Sequence, residues 1–279
     1  LFICLFNIFS SDMIISKELS SNSLNLLSGN YIPNYTSGIT FFIAVAATNL
    51  FHQGNWQRVF AAKDYNVLKR SLKFSFMIII PTVFIMGITG IFAISLDNKI
   101  NPDLAFFSLL LKENSEIIAV AVIILAISLT VSTLDTLING ISSLIIVDGK
   151  KISKNINSPN FIIIILSIIA LFVASKGFSI LYLFLLADLL CCAAVFPVFY
   201  GFFKKKIIES DLILSIVIGL VLGLLFFPNT SFTNSLLVGG LINNEFFPVI
   251  IKNYLLFWSF LIATIAPAVT VLFKYNPSK

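Results

Sequence analysis

The chain has 279 residues, of which 58% are hydrophobic and only 11% are charged, and its formal net charge is +5. A water-soluble domain carries about 25% charged residues, so this composition excludes an ordinary soluble protein and indicates an integral membrane protein. The three cysteines, Cys4, Cys191 and Cys192, lie in apolar runs. They predict neither a disulfide framework nor a metal site.

Eight apolar segments are predicted to cross the membrane, because a helix needs roughly 20 mostly apolar residues to do so. They cover residues 1–15, 37–56, 70–96, 115–147, 160–175, 178–203, 209–228 and 248–274. The chain opens with Leu1 inside an apolar run, so we expect the first span to be incomplete and further sequence to precede it. The pattern predicts an all-α, polytopic membrane protein with a single transmembrane domain over residues 1–279.

The basic residues are distributed unevenly among the predicted loops. Most of the 18 form clusters that the eight spans place on one side, namely Arg58, Lys63, Lys69, Arg70 and Lys73; Lys150, Lys151 and Lys154; Lys204, Lys205 and Lys206; and Lys274 with Lys279. Basic loops stay on the cytoplasmic side of a membrane. We therefore expect a multi-pass protein of the cell membrane whose basic loops and C-terminus are cytoplasmic. The sequence shows no basic patch on a soluble face, so it does not indicate a nucleic-acid partner.

The second predicted span turns polar before it ends. Its candidate contacts for a small polar solute are Thr48, Asn49, His52 and Gln53. An unwound helix near the membrane midplane, which offers carbonyls and amides to a solute, would have this pattern. A helix that ends at the cytoplasmic interface, with Trp56 as an interfacial aromatic and Arg58 as an anchor, would have it too. For His52, a solute contact and a packed polar residue are both open.

The fourth predicted span carries an unusual density of oxygen-bearing side chains, namely Ser128, Thr130, Ser132, Thr133, Asp135, Thr136 and Asn139. Lipid offers such groups no partner, so they face other helices or a polar species that moves through the protein. A hard cation such as sodium takes oxygen ligands of this type. The alternative is that the hydroxyls bond to carbonyls one turn earlier or pack between helices.

Two aspartates, Asp135 and Asp188, fall within predicted spans. An acidic group at the membrane centre costs roughly 2.5–3.5 kcal/mol on insertion scales and is by default a functional hypothesis. Both are candidates for coupling ion movement to solute movement. Nothing in the sequence places them together as a carboxylate pair.

Three motifs resemble the sodium:solute symporter family. The first is Gly54-Asn55-Trp56-Gln57-Arg58-Val59-Phe60-Ala61-Ala62-Lys63-Asp64, which is similar to the family's Gln-Arg…Ala-Ala-Lys signature. The second is Ser132-Thr133-Leu134-Asp135-Thr136 with Asp148, which is similar to its Ser-Thr-x-Asp-Ser…Asp pattern. The third, residues 186–197, resembles the subgroup of urea-type carriers. The motifs occur in the expected order over nearly the whole chain.

This resemblance implies an inverted-repeat fold, of which the chain would hold the second repeat and the C-terminal helices. Span 37–56 would be the broken first helix of that repeat, and span 115–147 its third helix. The implied sodium ligands are the Ser132 and Thr133 hydroxyls and the Leu129 carbonyl. Other family ligands come from the first repeat, which this chain lacks, so we expect either a fragment or a half-transporter that needs a partner chain.

The implied function is symport, in which sodium and a small polar solute such as urea, an amino acid, a carboxylate or a polyol cross the membrane together. A channel is an alternative, although no filter loop or ring of like charge is evident. A membrane enzyme would need a nucleophile–base or paired-carboxylate arrangement, which the sequence does not show. A transporter-like sensor would need a soluble domain. We hypothesise that Asp135→Asn impairs coupling; unchanged sodium dependence of uptake would refute this.

Overall fold

A computed structural model describes residues 31–96, 100–101, 104–111, 116–152, 159–203, 208–237 and 253–274. Over these residues the chain is helical, with no strand beyond one isolated bridge between Pro228 and Ser235. The helices are α1 (Ile32–Phe51), α2 (Gln53–Phe60), α3 (Tyr65–Leu96), α4 (Ala105–Leu111), α5 (Glu116–Ile152), α6 (Pro159–Ala174), α7 (Ile180–Phe203), α8 (Glu209–Phe226) and α9 (Leu255–Lys274).

Five of these helices are long and apolar enough to cross a membrane. The segments are Tyr65–Ile94, Ala119–Val147, Ile180–Phe203, Glu209–Phe226 and Leu255–Lys274. They match five of the predicted spans and confirm, over the described residues, an all-helical chain with helices long and apolar enough to cross a membrane. The inverted-repeat arrangement of these helices stays a prediction.

The other three predicted spans have different outcomes. Span 160–175 falls on α6, whose apolar segment Ile163–Ala174 is shorter than the five spanning segments. Span 37–56 is not one continuous helix, because α1 ends at Phe51 and a new helix begins at Gln53. An unwound helix was one of the two interpretations of this polar segment, and the break falls at His52. Span 1–15 lies outside the described residues.

The described residues form two compact units, and the first comprises Gln53–Lys176, with α2 to α6. In it α3 and α4 pack through Phe92, Ala93 and Ala105. The turn Ala61–Asp64 leads from α2 into α3, and the Asp64 carboxylate accepts the Val67 backbone N–H at 2.8 Å. This is the capping bond that a helix start needs for one of its free N–H groups.

The second unit contains α1, α7, α8 and α9. Its core consists of Ala44, Ala47, Tyr182, Leu185, Leu189, Cys192, Phe227, Phe260 and Ala263. The small residues among them let the helices approach closely, and the rings of Tyr182 and Phe227 pack against each other with centroids 5.6 Å apart. The single transmembrane domain over residues 1–279, which would contain both units, stays a prediction.

Helices α8 and α9 meet through small residues. A Cβ on Gly219 would overlap the Pro267 ring and lie 3.0 Å from the Ala263 carbonyl oxygen. A Cβ on Gly223 would lie 2.8 Å from the Ala263 Cβ. The Ser259 hydroxyl donates to the Gly223 carbonyl oxygen at 2.8 Å. Close backbone approach at glycines, with a hydroxyl bond across the interface, is how spanning helices associate in lipid.

Candidate functional site

The polar segment at the end of the second predicted span lies at a helix interruption. Helix α1 ends at Phe51, and His52 adopts an extended backbone with φ −70° and ψ 105°. Its N–H still reaches the Asn49 carbonyl oxygen at 3.4 Å, and α2 begins with Gln53. The interruption is therefore one residue long and falls inside the group of predicted solute contacts.

One predicted solute contact and one predicted coupling residue are brought together. The Thr48 hydroxyl donates to the Asp188 carboxylate at 2.5 Å, across 140 residues of sequence. Asp188 is only 7% exposed, although it carries an acidic group in the membrane-length helix α7. The same two helices also meet where the Cys192 thiol contacts the Ile43 carbonyl oxygen at 3.8 Å. Core packing therefore holds the buried carboxylate against α1.

The remaining predicted solute contacts are not gathered around this pair. The Asn49 side chain is exposed and donates to the Val45 carbonyl oxygen at 2.8 Å. The Nδ1 atom of His52 is buried and has no hydrogen-bond partner among the residues described. Gln53 belongs to the first unit, where its Cβ and Cγ lie 3.8 Å from the position that a Cβ on Gly140 would take.

The predicted sodium ligands lie on an exposed stretch of α5. The Thr133 hydroxyl donates to the Leu129 carbonyl oxygen at 2.8 Å, which places two of the three predicted ligand atoms side by side. The Ser132 carbonyl oxygen accepts the Thr136 hydroxyl at 3.0 Å. The Ser128 and Thr130 hydroxyls also donate to backbone carbonyl oxygens one turn earlier. This is the back-bonding that the sequence left open as an alternative.

Back-bonding does not remove the capacity of these atoms to bind a cation. A hydroxyl that donates its hydrogen keeps its lone pairs, and a carbonyl oxygen has two. Thr133 and Leu129 thus still offer oxygen to a hard cation, the chemistry that sodium prefers. Within the described ranges, no group of three His, Cys, Asp or Glu residues could hold a metal ion. Hydroxyl and carbonyl oxygens are therefore the donors to consider.

The second predicted coupling residue, Asp135, lies two residues beyond Thr133 on the same helix. It is exposed, and its carboxylate accepts a bond from the Asn139 side-chain amide at 3.2 Å. Both partners sit on α5, four residues apart, so the bond forms within one helix. Asp135 and Asp188 thus have different surroundings, since one is exposed beside an amide and the other is buried beside a hydroxyl.

Sequence reasoning missed two cavities in the second unit. One, of about 470 Å³, lies where α8 begins and α9 ends, next to the ion pair between Lys274 and Asp211 at 2.5 Å. The other, of about 200 Å³, lies where α1 and α9 begin. Each is assembled from segments far apart in sequence, so no local motif indicates it. The spacing Gly219-x-x-x-Gly223, in contrast, is a readable signal for the α8–α9 contact.

Comparison with protein-family models, with curated proteins and with solved structures gave no match. The similarity to sodium:solute symporters therefore rests on the three sequence motifs. All three motifs fall on the features described above. Residues 54–64 follow the interruption at His52, residues 132–136 lie on α5, and residues 186–197 lie on α7 and include Asp188.

Proposed function

We propose that this protein is a sodium-coupled symporter that carries a small polar solute across the cell membrane. The observation that carries the proposal is the hydrogen bond from the half-buried Thr48 of α1 to the buried carboxylate of Asp188 in the membrane-length helix α7. Thr48 lies four residues before the helix interruption at His52. A carboxylate at membrane depth is costly, and such groups are typical of ion and substrate pathways.

Asp188 is the proposed coupling residue. Among the described residues its hydrogen-bond partner is a hydroxyl, which is neutral, so the carboxylate is not neutralised by a basic side chain there. A buried carboxylate without a fixed counter-charge favours the approach of a cation. Cation movement and the position of α1, which carries Thr48, would then be linked through one hydrogen bond.

The proposed sodium ligands are the Ser132 and Thr133 hydroxyls and the Leu129 carbonyl. Their support is the oxygen chemistry of α5, the exposure of this stretch and the resemblance of residues 132–136 to the symporter motif. In this proposal the loops that carry the basic clusters face the cytoplasm. Inward sodium flow would then release about 2.3 kcal/mol per charge for each 100 mV of membrane potential, plus the concentration term.

The matched pair Thr133→Val and Thr130→Val tests the sodium site. Both threonines are exposed on α5, and each donates to a carbonyl one turn earlier at 2.8 Å, so the two substitutions remove the same helix bond. The measurement is the sodium concentration for half-maximal solute uptake in proteoliposomes. We expect Thr133→Val to raise it about tenfold, which corresponds to about 1.4 kcal/mol of sodium binding. Ser132→Ala should act in the same direction.

Thr130→Val should leave the half-maximal sodium concentration close to that of the unmodified protein, because Thr130 is not a proposed ligand. Equal shifts for the two variants would mean that loss of helix bonding, and not loss of a ligand, explains the effect. An unchanged value for both Thr133→Val and Ser132→Ala would remove α5 from the sodium site.

A further inference from the structure

The cavity of about 200 Å³ in the second unit is built from three segments. They are the first turns of α1, the loop that follows α8, and the residues at the start of α9. Its lining contains five residues with polar side chains, namely Thr36, Ser37, Thr40, Asn253 and Tyr254. The other lining residues are Pro33, Pro228, Phe232, Leu255, Leu256 and Phe257. None of these described lining residues carries a charged side chain.

The hydroxyls on the α1 side are held in place. Thr40 is only 1% exposed, and its hydroxyl donates to the Thr36 carbonyl oxygen at 2.7 Å. The Thr36 hydroxyl donates to the Pro33 carbonyl oxygen at 3.2 Å. Since the half-buried Thr36 hydroxyl donates its hydrogen within the helix, its lone pairs remain available to accept hydrogen bonds from a bound molecule.

The loop that closes the opposite wall is fixed by its own hydrogen bonds. The Asn229 N–H donates to the Asn234 carbonyl oxygen at 2.7 Å, and the Phe232 N–H donates to the Asn229 carbonyl oxygen at 2.9 Å. Phe232 has a φ of 57°, a left-handed conformation that a bulky residue rarely adopts. Its ring packs edge-on against Tyr182 with centroids 6.0 Å apart. The aromatic wall of the cavity is therefore a defined surface.

We infer that this cavity is a binding subsite for a small, neutral, polar solute with amide or hydroxyl groups. The polar lining can pair with such groups, and the proline, leucine and aromatic side chains can cover an apolar face. A charged solute would lose its hydration without meeting an opposite charge among the described lining residues, which is unfavourable. The inference rests on the proposed function in that it assigns a substrate class to the transporter.

This subsite is separate from the pair formed by Thr48 and Asp188. Thr48 lies eight residues beyond Thr40 on α1, a rise of about 12 Å along the helix. Between them the α1 face is closed by the buried residues Ala44 and Ala47. In the orientation expected from the basic clusters, the subsite lies at the outer end of the unit, where an incoming solute would first bind.

Binding of near-isosteric probes that differ in charge tests the inference. The probes are urea against guanidinium and acetamide against acetate, and each dissociation constant is measured by saturation-transfer NMR on the purified protein in nanodiscs without sodium. We expect each neutral probe to bind at least about tenfold more tightly than its charged counterpart. That ratio corresponds to a difference of about 1.4 kcal/mol in binding free energy, which the cost of leaving a charge unpaired would supply. Equal or tighter binding of the charged probes would overturn the inference.

Two variants locate the binding. Thr36→Val removes a half-buried hydroxyl of the lining at nearly constant shape, and Tyr254→Phe removes a hydroxyl from another wall, so the result does not depend on one variant folding. Thr82→Val is the matched control, because Thr82 on α3 is also half-buried and donates to a carbonyl one turn earlier but does not line the cavity. Loss of one hydrogen bond should weaken binding of the neutral probes about three- to tenfold.

Unchanged neutral-probe binding in both cavity variants would place the site elsewhere and overturn the inference. Because binding is measured without sodium, the result does not depend on whether sodium and solute movement are coupled. Neutral-probe binding that depends on the cavity, together with the absence of sodium-driven uptake, would contradict the proposed function and leave the subsite intact.

Discussion

Asp188 shows at the residue scale how a polar group can be kept inside an apolar unit. Its carboxylate is buried in α7 and receives the Thr48 hydroxyl from α1. The Thr48 hydroxyl satisfies one acceptor position of the carboxylate but supplies no positive charge. The pair therefore links α1 to α7, and the proposed function assigns the response to a cation to this carboxylate.

Asp188→Asn removes the negative charge of this side chain while keeping its shape. The asparagine oxygen can still accept the Thr48 hydroxyl, so we expect a folded protein whose maximal uptake falls by at least about tenfold, equivalent to about 1.4 kcal/mol. Asp211→Asn is the control, because Asp211 is an aspartate at the start of α8 whose partner is the surface residue Lys274. Initial uptake rates in proteoliposomes are the measurement. Equal rates for Asp188→Asn and the unmodified protein would show that the charge is dispensable.

The sequence identified Thr48 and Asp188 separately but could not pair them. Each stood out because a polar residue in an apolar run is unusual. Their contact depends on how α1 packs against α7, and residue spacing along the chain carries no information about that packing. The same limit applies to His52, whose Nδ1 atom is buried without a hydrogen-bond partner among the described residues, which became evident only in the fold. For Leu129 and Thr133, helix geometry alone was sufficient to predict proximity.

At the scale of helices, the α8–α9 contact depends on residues too small to give a hydropathy signal. Gly219 faces Pro267 so closely that a methyl group would overlap the proline ring. The ring is rigid and belongs to a helix, so relief requires the two helices to separate. Hydropathy found both helices correctly, yet it could not reveal the face through which they associate.

Gly219→Ala should therefore destabilise the protein despite the higher helix propensity of alanine. Overpacking typically costs about 1–3 kcal/mol, whereas Gly→Ala within a helix interior gains about 1 kcal/mol. Gly87→Ala on α3 is the matched control, since nothing lies within 4 Å of the position of its Cβ. Thermal unfolding in detergent should give a lower Tm for Gly219→Ala and an unchanged or higher Tm for Gly87→Ala. An unchanged Tm for Gly219→Ala would mean that the helices do not approach this closely.

Helix boundaries show where pattern reading succeeded and where it failed. Five spans were correct because each is a long, uninterrupted apolar run with polar flanks. The break at His52 was not predicted to the residue, since the surrounding polar group fitted both an unwound helix and a helix end. Span 160–175 coincides with α6, whose 16 residues are fewer than the roughly 20 that a spanning helix needs.

For the whole molecule, composition alone fixed the class, because a chain with 11% charged residues cannot cover itself with polar surface. Orientation follows from charge. Among the described basic residues, Arg58 lies in α2, and Lys63, Lys69, Arg70 and Lys73 lie in the turn after it and the first turns of α3. The loop that closes the small cavity, residues 227–236, contains no basic residue. The orientation proposed from the basic residues puts the turn at Lys63 in the cytoplasm and residues 227–236 outside the cell.

Labelling of single cysteines in intact cells tests that orientation. Lys63→Cys and Ser231→Cys are made in a background whose native cysteines are replaced by alanine. A membrane-impermeant maleimide should label Ser231→Cys from outside, and Lys63→Cys only after the cells are made permeable, because basic loops stay inside. Labelling of Lys63→Cys alone in intact cells would mean that the orientation is the reverse of the one proposed. Labelling of both variants in intact cells would contradict the assignment of the intervening spans.

The measurement that tests coupled transport most directly is solute accumulation against a gradient. Proteoliposomes with an inward sodium gradient and a negative interior are given radiolabelled urea, acetamide, glycerol, proline and acetate in turn, and each series is repeated with potassium in place of sodium. Symport predicts that at least one solute rises transiently above its equilibrium level with sodium and not with potassium. Uptake that only reaches equilibrium, or that is the same with either cation, would contradict it.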